Sequence, residues 1–162
     1  MNGNCRRKLL RVMAFGPALT FSTASGTGLA AQKREEPEPL IQPSEQNPAH
    51  YIARAKDLAD TSIKLGDGTG YGAVLVKNGL IVGEGRNRIY SLNDPTAHSE
   101  IDAIRDACRR LTTPTLEGCE IFCSARPCQM CDTACYWAKL KRIHYASAKS
   151  EIISVVPHYS RC

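Results

Sequence analysis

Hydrophobic positions in this chain fall into short blocks with two different periods. In PAHYIARAKDLADTSIKLG, Ile52, Ala55, Leu58, Ala59 and Ile63 recur at helical spacing, which predicts an amphipathic helix from Pro48 that ends before Gly66. A glycine-rich turn, GDGTG, follows. YGAVLVK and LIVGEGRN then read as two strands joined at Asn78–Gly79, a pair that tolerates left-handed backbone and so predicts a tight hairpin. In DPTAHSEIDAIRDACRRL, the residues Ile101, Ile104, Ala107, Cys108 and Leu111 form one helical face, with Asp94–Pro95 placed to start the helix. CEIFCSA predicts a strand, PCQMCDTACYWAKLK a helix with Pro127 in its first turn, RIHYASA a strand, and IISVV a short last one. On that helix Tyr136 and Trp137 read as core packing, because large aromatics on an amphipathic helix are usually buried. The order αββαβαβ, with one further strand at the end, predicts an α/β domain with a mixed central sheet and helices on its faces.

Ahead of this pattern the chain changes character twice. Residues 1–31 have a basic start, a mildly apolar middle and small residues at Gly28 and Ala30, the layout of an export signal. RRKLLR within it resembles a twin-arginine signal, so the expected location is periplasmic or exported, and cytoplasmic if the leader is not functional. The middle is too short and polar for a stable membrane span. Residues 32–47 are rich in proline and charge and read as a linker, which places the folded domain at 48–162.

Charge changes the picture less than its total suggests. The net charge is +5, but Arg6, Arg7, Lys8 and Arg11 lie in a leader without acidic residues, which leaves the rest of the chain near neutrality. A nucleic-acid partner is therefore not expected. Hydrophobic residues at 43% and charged residues at 23% fit a globular domain rather than a disordered or membrane-spanning chain.

The chemistry concentrates at two helix starts. His98 and Glu100 stand at one, and Cys128 and Cys131 at the other. Two cysteines three residues apart share a helical face, and a helix N-terminus favours thiolate. One imidazole and two thiolates make three ligands for Zn2+ and leave the fourth tetrahedral position for water. Glu100 is placed to reach that water without binding the metal. The same residues also allow a closed structural site with Cys135 as fourth ligand, a redox dithiol, or ordinary core cysteines. Of the eight cysteines, those that bind no metal are either paired or buried as free thiols.

DPTAHSE together with PCQMC resembles the zinc-dependent cytidine/deoxycytidylate deaminase superfamily, whose mark is H-x-E followed by P-C-x-x-C. GAVLVKNG, GEGRN, NDPTAHSEIDAIRDAC and CYWAKLKRIHYA look most like bacterial guanine deaminases, with the tRNA adenosine deaminases second. The resemblance implies a three-layer α/β/α fold, a zinc ion held by His98, Cys128 and Cys131, Glu100 as proton shuttle, and a homodimer. It also implies that Asn87 hydrogen-bonds the base and that Tyr71 lines its pocket, although Asn87 equally suits a turn and Tyr71 a core position. The expected reaction is hydrolytic deamination of a small nucleobase or nucleoside, guanine or a related purine, with release of ammonia. tRNA adenosine deamination and a silent zinc-binding module are the alternatives. Three departures stand out: Ser99 between His and Glu, Arg126 where relatives usually carry Glu, and a C-terminus without the long closing segment of guanine deaminases.

Overall fold

The computed structural model describes residues 39–158. The expected export signal at 1–31 lies outside the described residues. Among those described are three helices and five strands, in the order α1 (Pro48–Lys64), β1 (Gly72–Lys77), β2 (Leu80–Arg86), α2 (Ser99–Leu111), β3 (Glu120–Cys123), α3 (Gln129–Trp137), β4 (Arg142–Ala146) and β5 (Ile152–Val155). The strands form one sheet in the order β2-β1-β3-β4-β5. β3 and β4 run parallel, linked by α3, and the other neighbours are antiparallel, so the sheet is mixed as expected.

Alternation along the strands sorts the core into two layers. Val74, Val76 and Phe122 point to one face and pack with Tyr51, Ile52 and Leu58 of α1. Ala73, Leu75, Ile121, Cys123 and Ile143 point to the other and pack with Ala103 and Ala107 of α2, Cys135 of α3 and Ala138 just past its end. The domain is thus a three-layer α/β/α sandwich.

α1 opens with a well-formed cap: Asn47 Oδ1 accepts a hydrogen bond from the His50 backbone amide, and Pro48 occupies the first turn, where no amide hydrogen is needed. Its buried face is Tyr51, Ile52, Ala55, Leu58, Ala59 and Ser62. Ile63, expected on that face, is 63% exposed. The polar Ser62 holds the inward position because its hydroxyl donates to the Asn87 carbonyl at 2.6 Å, and the next residue turns outward. The segment expected as linker also contributes at its end: Gln42 exchanges two side-chain hydrogen bonds with the Ile81 backbone, at 2.8 and 2.9 Å, and Leu40 packs on the α1 layer.

The hairpin turns at Asn78 (φ 51°) and Gly79 (φ 80°), both left-handed, as the two-residue hairpin requires. β2 then carries Gly83 and Gly85 against α2. A Cβ on Gly85 would collide with the backbone of Ser99 and Ala103, so the missing side chains let helix and strand approach closely. This contact shifts the buried face: Ala107 is buried as expected, joined by Ser99, Glu100, Ala103 and Asp106. Ile101, Ile104 and Cys108 are half-buried, and Leu111 is exposed. The helix also starts later than expected. Asp94 Oδ1 accepts from the Thr96 amide and hydroxyl at 2.8 and 2.7 Å, closing a turn of its own, and α2 begins at Ser99. Pro127 likewise precedes α3 rather than lying in its first turn.

Tyr136 and Trp137 are not core. They are 47% and 68% exposed, because α3 buries Cys131 and Cys135 on its opposite side. No helix among the described residues is long and apolar enough to cross a membrane.

Candidate metal centre and active site

Two strand-to-helix connections end side by side at one edge of the sheet. β2 leads through Asn87 and a loop to His98, the N-cap of α2; β3 leads through Ser124–Pro127 to Cys128, the N-cap of α3. Neither N-cap side chain caps its helix. Both side chains turn toward each other. Cys128 Sγ lies 3.6 Å from Cys131 Sγ, and His98 Nδ1 lies 3.7 Å from Cys128 Sγ and 3.5 Å from Cys131 Sγ.

These separations suit one tetrahedral zinc ion. With Zn–S near 2.3 Å and Zn–N near 2.0–2.1 Å, tetrahedral angles put two sulfurs about 3.8 Å apart and sulfur and nitrogen about 3.6 Å apart. The donor set, one imidazole and two thiols, is also what zinc prefers. Among the described residues these three form the group whose donor atoms all lie within 4.8 Å of one another. Cys135 does not join it; its side chain is buried in the apolar cluster under α2 and α3. A closed four-ligand site is therefore not formed, and the described cysteines are free thiols.

Burial pushes the Cys131 thiol well above its ordinary range, with the nearby Glu100 and Cys128 adding to the effect. A metal must therefore displace a proton there to bind. Cys123 and Cys135 are raised by burial in the same way, which suits inert core thiols.

Glu100 sits beside the three ligands and is 6% exposed. Its Oε2 accepts a hydrogen bond from Ser99 Oγ at 3.0 Å, so the serine between ligand and acid anchors the carboxylate. A cavity of about 170 Å³ is lined by Glu100, His98 and Cys128 together with Thr69, Tyr71, Asn87 and Arg126. Asn87 and Tyr71 thus reach the cavity expected for them. Asn87 also closes the turn: its Oδ1 accepts from the amides of Thr69 and Ile89 at 3.3 and 3.4 Å. Those bonds orient the amide and leave Nδ2 without a partner among the described residues. Tyr71 is 45% exposed at the rim, not a core aromatic. Thr69 is a lining residue that sequence reasoning does not single out; its only signal is its place in the glycine-rich turn after α1.

The profile of the cytidine and deoxycytidylate deaminase zinc-binding region matches residues 45–147, most of the chain. The chain belongs to this deaminase family. Within it, the chain is similar to the guanine deaminase of Bacillus subtilis, with 43% identity over 101 residues that cover 62% of this chain and 65% of that protein. The crystal structure of the Bacillus protein superposes with a TM-score of 0.61 at 44% identity, covering 62% of this chain and 64% of the other. A guanine deaminase structure from Nitrosomonas europaea gives 0.60 at 26% identity, covering 68% and 62%. The tRNA-specific adenosine deaminase of Aquifex aeolicus is 42% identical over 76 residues, 47% of this chain and 50% of that protein. The chain thus spans between half and just under two thirds of the length of these curated relatives. As a family member it carries a zinc-binding region, and His98, Cys128 and Cys131 are the residues positioned to hold the ion.

Proposed function

We propose that this protein hydrolytically deaminates a small amino-bearing purine, guanine or a close relative, and releases ammonia. The observation that carries this reading is a buried carboxylate, Glu100, in one cavity with the three-ligand metal group and with Asn87. Zinc held there supplies Lewis acidity, which makes water acidic enough to react near neutral pH. Glu100, fixed through Oε2 by Ser99, takes a proton from the attacking water with its other oxygen and passes it to the ring nitrogen beside the carbon under attack. It then takes the remaining proton from the added hydroxyl and delivers it to the departing amine; the C–N bond breaks as the C=O bond forms, so water and amine become carbonyl and ammonia. Asn87 Nδ2 donates to a ring or carbonyl acceptor of the base, while its Oδ1 stays tied to the backbone. Similarity to two guanine deaminases supports the purine.

tRNA adenosine deamination is the second reading, favoured by the similarity to the Aquifex enzyme. Incubating the zinc-loaded protein with guanine, adenosine, cytidine and a tRNA anticodon stem-loop, and following ammonia, separates the two. Release from a free purine but not from the stem-loop is the expected result; release from the stem-loop alone transfers the assignment to tRNA. No release from any with zinc bound leaves a silent zinc-binding module.

Two further expectations belong to this proposal. A homodimer is supported by the apolar concavity of about 460 Å³ in which the exposed Val156 stands beside the buried Leu140 and Pro157, and light scattering of the purified protein tests it. Export is supported by the twin-arginine-like RRKLLR, and cell fractionation tests it.

A further inference from the structure

Arg126 stands between two cavities. One is the cavity of about 170 Å³ that holds Glu100, His98 and Asn87; the other, of about 160 Å³, is bordered by Arg126, Asp132 and His158. Each alone is about half the size of the smallest usual small-molecule site, ~300 Å³. Arg126 is the residue that lines both.

The charges around this residue are asymmetric. Arg126 is exposed and makes no hydrogen bond or ion pair with the described residues. The two nearby carboxylates are already engaged. Glu100 Oε2 is held by Ser99, and Asp132 accepts from His158 twice, from the ring at 2.9 Å and from the backbone amide at 3.1 Å. The guanidinium thus lines both cavities with no carboxylate of the described residues paired to it. Pro127 immediately follows and holds the Arg126 backbone to extended conformations, so the side chain starts from a fixed position. A planar guanidinium fork matches the oxygens of a phosphate better than any group on a neutral base.

We infer, resting on the deaminase reading, that Arg126 binds the phosphate of a purine nucleoside monophosphate whose base occupies the cavity of Glu100. The sugar spans the gap, and the phosphate lies on the far side of Arg126 from the Glu100 carboxylate, which would repel it, in the cavity where Asp132 is already paired with His158. The enzyme then selects a phosphorylated nucleoside over the free base.

The test measures kcat/KM of the zinc-loaded full chain for guanine, guanosine and guanosine monophosphate, and for an anticodon stem-loop, in the native protein and in Arg126→Glu and Arg126→Lys. One charge-assisted contact should favour the monophosphate over guanosine by about 10–100-fold. That preference should vanish in Arg126→Glu, persist in part in Arg126→Lys, and shrink as salt rises. Zinc content and melting temperature identify any variant that has failed to fold, and the lysine variant then carries the comparison. A native preference for guanine or guanosine overturns the inference but leaves the deaminase reading intact. So does a ratio that Arg126→Glu does not change. Faster turnover of the stem-loop also overturns it and moves the phosphate contact to RNA. Should no substrate turn over, the deaminase reading fails on its own, and calorimetry with guanosine monophosphate and guanosine still decides the role of Arg126: equal Kd values overturn it.

Discussion

Helix α1 and the pair α2 and α3 begin in opposite ways. α1 follows the rules for a stable helix start, with Asn47 capping the His50 amide and Pro48 in the first turn. α2 and α3 place His98 and Cys128 at the same position, and neither side chain caps. Each forgoes the ~1 kcal/mol that a serine or asparagine would contribute there. The side chains are instead aimed across the gap between helices, where three donor atoms meet. The difference teaches how to read a helix start: where a good cap is absent at two neighbouring helices, the residues at those positions serve something other than the helix.

This contrast can be broken at several points. Cys128→Ser inserts a good cap and removes a ligand. Loss of even an outer-sphere partner costs a metal site about 10–100-fold in affinity, so loss of a sulfur should cost more, while the zinc-free protein becomes slightly more stable. Titration with a zinc chelator and thermal melts read the two effects. Glu100→Gln should lower kcat by about 10²–10⁴-fold and leave zinc stoichiometry unchanged, because in the proposed reaction the carboxylate moves protons and does not bind the ion; loss of zinc would show that Glu100 is a ligand. Zinc affinity should also depend on pH with a definite sign. Burial raises the Cys131 thiol, and zinc binds only the thiolate, so lowering pH weakens binding by at least about tenfold per unit. Competition titrations across neutral pH measure the slope.

Smaller effects come from the supports. Gly85→Val forces α2 off β2 and should destabilise by about 1–3 kcal/mol, with lower zinc affinity because His98 moves with the helix. Asn47→Ala should cost about 1 kcal/mol in a denaturant melt and change neither zinc binding nor turnover. If Asn47→Ala disturbed the metal site, the division between structural and chemical helix starts would be wrong.

Local chemistry makes much of this legible from residues alone. The Asn78–Gly79 turn, the order of elements and the pairing of H-x-E with P-C-x-x-C each depend on a few adjacent residues. Features decided by contacts between distant segments are harder to read. Counting Ile101, Ile104, Ala107, Cys108 and Leu111 as the core face of α2 misses Ala103, which with Ala107 fits against Gly83 and Gly85 and sets the buried face. Ile63 faces outward because Ser62 is tied to Asn87, a contact 25 residues away. Tyr136 and Trp137 lie exposed because a helix as short as α3, 9 residues, has one buried side and the cysteines occupy it. Thr69 enters the cavity through the loop path after α1, which no periodicity describes.

X-ray absorption at the zinc edge of the loaded protein counts the atoms around the ion and so decides whether three side chains or four hold it. Two sulfurs near 2.3 Å and two lighter atoms near 2.0 Å are expected, one from His98 and one from solvent. Three sulfurs around the zinc would place Cys135 in the open position and contradict a three-ligand site.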